Sequence, residues 1–215
     1  MVFPAQALDL EPFRIYRIPF STNVERVALA CGHKGIAVEW IDVDPADRSE
    51  VERVSGQQLV PVLVSGETVL FDSPVILEWL EERVPEPPLY PREPARRAEV
   101  EIFLQWFNRL WKRPPNEIDA EEAKPAPDAQ LIETLGKEMR LAIPLFERLL
   151  DGREYLFGDF GVADVTAFPF LKYAVFGLPE GDDERFHAIL VEHQPLDDAS
   201  PLRAWAERVE AKPRA

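Results

Sequence analysis

The sequence predicts a small mixed α/β domain over residues 12–84 followed by an all-helical domain over residues 96–215. Three observations lead there. Up to residue 84, short strand-like and helix-like segments alternate in the order β-α-β, an ambiguous stretch at 46–57, then β-β-α. That order suits a small sheet with helices on its faces. Beyond residue 95 the strand signals vanish, and apolar residues recur at helical spacing. Between the two, Pro85, Pro87, Pro88, Pro91 and Pro94 crowd into a connector at 85–95. Proline fixes φ and lacks an N–H, so such a run stops a helix and stiffens the chain.

Each element has a local reason. Residues 13–18 (FRIYRI) carry the aromatic and β-branched content of a strand. Asn23 to Gly32 reads as a helix, with Val24, Val27, Ala28 and Cys31 on one face and Gly32 as its C-terminal stop. VEWIDVD (38–44) is a second strand, and PVLVSGETVLF (61–71) is two short strands about a Ser-Gly-Glu turn. Ser73-Pro74 opens a helix, serine as N-cap and proline in the first helical position, with Val75, Ile76, Trp79 and Leu80 as its buried stripe. In the second domain Phe103, Trp106, Phe107, Leu110 and Trp111 share one helical face. Leu131, Leu135, Met139, Ala142, Phe146 and Leu149/Leu150 share another, and residues 162–176, 184–191 and 202–209 complete the helices. The polar, proline-rich stretch 112–128 reads as a long loop between helices.

Composition excludes several function classes. The 215 residues are 46% hydrophobic and 29% charged, enough to bury a core. Acidic residues outnumber basic ones 39 to 24, for a net charge of −15. Such a chain repels phosphate backbones and anionic lipid surfaces, so neither a nucleic-acid nor a membrane partner is expected. No stretch approaches the roughly 18 apolar residues of a membrane span. The opening MVFPAQALDLEPF has neither the basic nor the apolar region of a secretory leader, so a cytoplasmic location is expected. One cysteine excludes an internal disulfide, a CxxC pair and a thiolate zinc site. His33, His187 and His193 stand far apart without metal-ligand spacing, so no metal is expected either.

Four stretches, in order, resemble the glutathione S-transferase family: YRIPFSTNVERVALA (16–30), LVPVLV (59–64), FDSPVILEWLEE (71–82) and, more weakly, GDFGVADVTAFPFL (158–171). The resemblance covers nearly the whole chain after residue 12 and is to serine-type transferases. It implies a thioredoxin-like N-terminal domain, a mixed four-stranded sheet with flanking helices, and an all-α helical-bundle C-terminal domain. It also implies a detoxification-type homodimer that uses glutathione as co-substrate and joins its thiol to a small hydrophobic electrophile.

The chemistry of such an enzyme is to ionise a thiol and aim it. A thiol of pKa ~8.5 is only about 3% ionised at pH 7, and lowering that value by roughly two units takes about 2.7 kcal/mol. A hydroxyl hydrogen bond to the anion supplies roughly 1.5–3 kcal/mol, and a helix N-terminus about 0.3–1 kcal/mol. Ser21, after the first strand and just before the first helix, stands where both converge. On the residues alone it is as well read as an N-cap; by resemblance it is the thiolate-stabilising hydroxyl, with Thr22 or Asn23 sharing or taking over the role. Tyr16 is a competing hydroxyl inside the strand, because other classes of the family use a tyrosine. Cys31, at the far end of the helix, reads as a small core residue.

The remaining roles follow from the resemblance. Leu59, Val60 and Pro61 form the family's Val-Pro segment, whose cis bond turns the Val60 backbone outward to pair with the cysteinyl part of glutathione. A trans proline at a strand start is the plain alternative. Ser73 holds the γ-glutamyl carboxylate and Asp72 faces its ammonium, a function compatible with simple capping. Phe20, Phe103, Phe107 and Trp111 are candidates for the electrophile pocket, against a plain core role for the last three. The chain departs from the family at Leu59, where relatives carry Gln or Lys. No basic anchor for the glycyl carboxylate is identifiable beyond Arg48 and Arg53. Gly161 stands three residues before Asp164, where the capping box has Ser or Thr. These departures favour the alternative, a non-catalytic transferase-like module that binds a partner protein or ligand.

Overall fold

The computed structural model describes residues 13–215. The leader reading at the N-terminus and residue 12 as a domain start lie outside the described residues. The described chain falls into two compact units, one running to Leu80 and including Arg214–Ala215, the other spanning Glu81–Pro213.

The first unit holds β1 (Phe13–Arg17), α1 (Thr22–Lys34), β2 (Val38–Asp42), α2 (Ser49–Ser55), β3 (Val62–Ser65), β4 (Thr68–Phe71) and α3 (Ser73–Arg83). The sheet is four-stranded in the order β2-β1-β3-β4, with β2 parallel to β1 and the two hairpin strands antiparallel. This is the mixed α/β sheet expected. Tyr16, Ile18, Val43, Val51, Val62 and Val64 cluster as a core, with Val60 packed against it.

Three local expectations are corrected. α1 does not stop at Gly32: it runs on to Lys34, and Gly35 at φ 64° is the left-handed stop, its N–H bonded to the carbonyls of Cys31 and Gly32. Either glycine could end a helix, and only the second takes the backbone angle that disfavours a Cβ. At α3, the Asp72 carbonyl accepts the first helical hydrogen bond, from Ile76 N–H at 3.1 Å. Asp72 is therefore the residue before the helix, and Ser73 already lies within it. The buried residues of α3 include Ile76, Leu77 and Leu80, while Val75 is exposed. The ambiguous 46–57 stretch contains α2, anchored by buried Val51.

Register brings three segments to one end of the sheet. Tyr16 pairs with Val62, and Val62 pairs with Phe71. Just beyond that row lie the loop from Arg17 to Ser21, the Val60-Pro61 peptide, and Asp72-Ser73.

The second unit is helical: α4 (Pro94–Trp106), a π-helical turn (Phe107–Trp111), α5 (Arg113–Glu122), α6 (Ala129–Leu149), α7 (Val162–Leu171), α8 (Tyr173–Phe176), α9 (Arg185–Glu192) and α10 (Pro201–Glu210). Between Arg83 and Pro94 the chain has neither helix nor strand, in line with its prolines. The expected loop at 112–128 is largely α5. Pro114 and Pro115 fall in its first turn, where a missing N–H costs nothing because those donors have no helical partner. Every residue of α7 is buried. Asp164 in its first turn accepts from Leu156 N–H and Gly161 N–H, each at 3.0 Å, and from the Trp205 indole N–H at 2.8 Å. No described helix is long and apolar enough to cross a membrane.

Candidate functional site

Ser21 is the N-cap of α1. Its Oγ accepts from Val24 N–H at 3.4 Å, which leaves the hydroxyl hydrogen free to donate elsewhere. The residue before it, Phe20, has φ 61° and is 39% exposed. That left-handed turn carries the chain sharply from β1 into α1 and leaves Ser21 half-buried. Thr22, by contrast, is buried, and the Asn23 side-chain carbonyl accepts from the Ser73 hydroxyl at 3.4 Å. Of the three hydroxyl or amide side chains at this helix start, Ser21 is the one with a free donor and partial access.

The competing groups are occupied or enclosed. Tyr16 is buried in the core cluster and its hydroxyl donates to Glu50 at 3.3 Å. Burial, and then the adjacent carboxylate, raise its pKa above the ordinary phenol value. Cys31 is fully buried, and burial pushes its thiol up to about 12, so it is not a nucleophile at neutral pH.

The Val60-Pro61 bond is cis. Pro61 is buried, and Leu59 stands 69% exposed just before the bend. Gln57, one of two glutamines just upstream of the departure at Leu59, reaches over Leu59: its Nε2 donates to the Leu59 carbonyl at 2.9 Å, and its Oε1 accepts the Leu59 N–H. Both polar groups of the Leu59 backbone are thus engaged by one side chain. Arg48 lies beside this segment, donating to the Gln58 carbonyl at 3.4 Å, whereas Arg53 faces Glu50 at 3.7 Å.

The start of α3 is arranged differently from expectation. Asp72 is exposed, with φ 70°. Ser73 is only 1% exposed, its hydroxyl placed between Asn23 and Arg26, whose Nη1 donates to it at 3.3 Å. Its side chain ties α1 to α3. Arg26, missed in the sequence because it sat between the apolar positions of α1, is itself buried. Desolvation draws its guanidinium down to about 9, opposed by the nearby Asp72 charge. Its only sequence signal is helical spacing with Leu29 and Ala30, which are also buried.

Phe103, Phe107 and Trp111, candidates for either a pocket wall or plain core, are buried in the aromatic core of the helical unit, and Trp111 also lines a cavity with Trp106, Leu110 and Met139. Phe107 stacks on Trp111 at 4.4 Å and meets Phe146 and Phe170 edge-on at 6.1 and 5.6 Å. Phe103 meets Phe146 at 6.2 Å. Apolar rings at helical spacing satisfy a core and a pocket alike, and here the core takes them. Phe20 alone of the four is exposed. Among the described residues no group of His, Cys, Asp and Glu could hold a metal ion.

Comparison with known proteins adds the following. Residues 15–88 match the family model of the glutathione S-transferase N-terminal domain. The chain is 29% identical over 147 residues to a stringent starvation protein A homolog of Pasteurella multocida, covering 68% of this chain and 67% of that one. It is 37% identical over 93 residues to glutathione S-transferase Z1 of Arabidopsis thaliana, covering 41% and 42%. Among solved structures, a glutathione S-transferase from Rhodospirillum rubrum F11 superimposes with TM-score 0.70 at 26% identity, covering 94% of this chain and 89% of that one.

Proposed function

From the premise that this chain belongs to the glutathione S-transferase family, we propose that it binds glutathione in its N-terminal unit and transfers the thiol, as thiolate, to a small hydrophobic electrophile. The observation that carries the reading is the row Tyr16, Val62, Phe71, which gathers the Ser21 hydroxyl, the cis Val60-Pro61 peptide and the start of α3 at one end of the sheet. These residues fit the tripeptide. The Val60 backbone pairs with its cysteinyl part. Exposed Asp72 faces its ammonium, and the N–H groups opening α3 receive its α-carboxylate, with buried Arg26 beneath. Arg48 is the basic side chain nearest the segment that would receive the glycyl end.

In the reaction, the thiol proton leaves to solvent while the Ser21 hydroxyl donates to the sulfur anion. Sulfur then forms its bond to the electrophilic carbon, and the leaving group departs with its electron pair. Ser21 stays a donor throughout and is never a nucleophile. The reading places the protein in the cytoplasm as a homodimer. Val69, Phe71 and Val75, exposed on β4 and α3, suit such self-association.

The test is retention of the purified chain on immobilised glutathione, a rise in unfolding temperature with millimolar glutathione, and conjugation of an activated aryl halide. Ligand at about 100 times its Kd should add roughly 2.7 kcal/mol of stability. A second reading, a non-catalytic module that binds a partner, is favoured by the enclosed Ser73 hydroxyl and by the relative that spans two thirds of both chains without a transferase name. Absence of both retention and thermal shift selects it.

A further inference from the structure

We propose that Arg214 is a positioning residue for the thiolate: by pairing with Glu25 in the first turn of α1, it offsets a carboxylate that would otherwise oppose the sulfur anion held by Ser21. This role rests on the glutathione reading of the Ser21 site and names the group that tunes it.

The argument begins with where Glu25 stands. Its N–H donates to the Ser21 carbonyl at 3.0 Å, the hydrogen bond that opens α1. Residues one turn apart share a helix face, with Cβ atoms about 5–6 Å from each other. Long helical side chains also lean back toward the N-terminus, so the Glu25 carboxylate is turned toward the Ser21 end. A helix start attracts an anion through its unpaired N–H groups and its dipole, and a first-turn carboxylate competes for that attraction. The Glu25 side chain is only 14% exposed, so solvent screens it poorly.

Arg214 meets this charge from outside the helix. Arg214 and Ala215 belong to the first unit, and three contacts fix them there. Arg214 Nη2 donates to Glu25 Oε1 at 3.0 Å, and the Ala215 N–H donates to the Ala28 carbonyl at 3.2 Å. The Ala215 carbonyl accepts the Trp40 indole N–H, from β2, at 2.9 Å. The two bonds at Ala215 pin the backbone next to Arg214. Its guanidinium therefore loses less freedom on pairing than one on an unanchored surface segment, where ion pairs are weak. Other charges around this end of the sheet are engaged elsewhere. Arg26 of α1 donates to Ser73, with the Asp72 charge nearby, and Arg17 of β1 pairs with Asp42 of β2 at 2.6 Å. Glu50 of α2 accepts from Tyr16. Arg214 is thus the cation set against the first-turn carboxylate.

The experiment titrates bound glutathione by the ultraviolet absorbance of its thiolate, with kcat/KM for an activated aryl halide followed over the same pH range. Arg214→Gln should raise the pH of half-ionisation by roughly half a unit to one unit, and Glu25→Gln should lower it by a similar amount. The double variant should return to within about 0.2 unit of wild type. Arg214→Lys keeps the charge and should stay there too. Both single shifts should shrink in high salt. Arg148→Gln, which removes the same charge from an exposed site on α6, should leave the titration unchanged. Shifts of the same sign in both single variants, or an equal shift in Arg148→Gln, overturn the role. A lower rate in Arg214→Gln with the midpoint in place overturns it as well, and assigns Arg214 to structure alone. If the wild-type chain gives no thiolate signal with glutathione, the glutathione reading itself falls, and this role with it.

Discussion

A Cβ on Gly161 would lie 2.8 Å from the carbonyl oxygen of Leu89, the oxygen that accepts Val162 N–H. That closeness explains why glycine stands where the family's capping box has Ser or Thr: a side chain would drive the connector off the start of α7. The Asp164 half of the box remains, accepting Gly161 N–H. Gly161→Ser should therefore destabilise the protein by about 1–3 kcal/mol through overpacking, although serine is ordinarily the better N-cap. A urea titration reads this directly, and a midpoint equal to or above wild type would refute it.

Asp164 carries a pH dependence of its own. Burial pushes its carboxyl up to about 6, opposed by the N–H groups of Leu156, Trp205 and Gly161. In the unfolded chain the value is about 3.9. Between these values the folded protein binds more protons than the unfolded one, so the contribution is full below about pH 4 and is lost as pH rises through about 6. Asp164→Asn removes the titration. Stability measured from pH 4 to 7 should decline more steeply in wild type than in the variant, by an amount on the order of 3 kcal/mol. Parallel curves would show that the three donors outweigh burial.

The order of elements and the site's backbone features were legible in the sequence because they rest on residue types with special backbone behaviour. Ser21 before a helix, proline after Val60, and Asp72-Ser73 ahead of an apolar run each mark a fixed local geometry. What was not legible came from tertiary context. Pro114 and Pro115 read as loop, yet proline serves a first helical turn equally well. Val75 and Leu77 exchanged roles because a four-residue stripe cannot say on which side the sheet lies. The rings at 103, 107 and 111 have the same spacing whether they line a pocket or fill a core. Arg26 was invisible for another reason: its partner, Ser73, is set by how the chain returns on itself, and a charged residue on an amphipathic helix is ordinarily solvated.

The thiol of Cys31 should be silent in the native protein. It is fully buried at the end of α1, and a pKa of about 12 leaves roughly one thiolate in ten thousand at pH 8. Reaction with 5,5′-dithiobis(2-nitrobenzoate) should be at least about 100-fold slower in buffer than in guanidinium, where the ordinary thiol value of about 8.5 returns. Fast native labelling would mean that α1 opens locally, and would restore Cys31 as a candidate nucleophile.

Ser21 and Tyr16 carry the two hydroxyls that could hold a thiolate, and a pair of variants separates them. Ser21→Ala removes a donor to the sulfur anion worth roughly 1.5–3 kcal/mol, so conjugation at neutral pH should fall about 10- to 100-fold. The same change costs one long capping bond to Val24, about 0.5–1 kcal/mol of stability, so the variant should fold and still bind glutathione. Its deficit should shrink as pH rises, because solvent then ionises the bound thiol unaided. Tyr16→Phe deletes a hydroxyl that already donates to Glu50 inside the core, and should leave the rate within about twofold of wild type. The deciding measurement is kcat/KM for an activated aryl halide from pH 6 to 9 in both variants. A pH-independent loss in Ser21→Ala assigns that residue to structure, and a larger loss in Tyr16→Phe moves the donor to the strand.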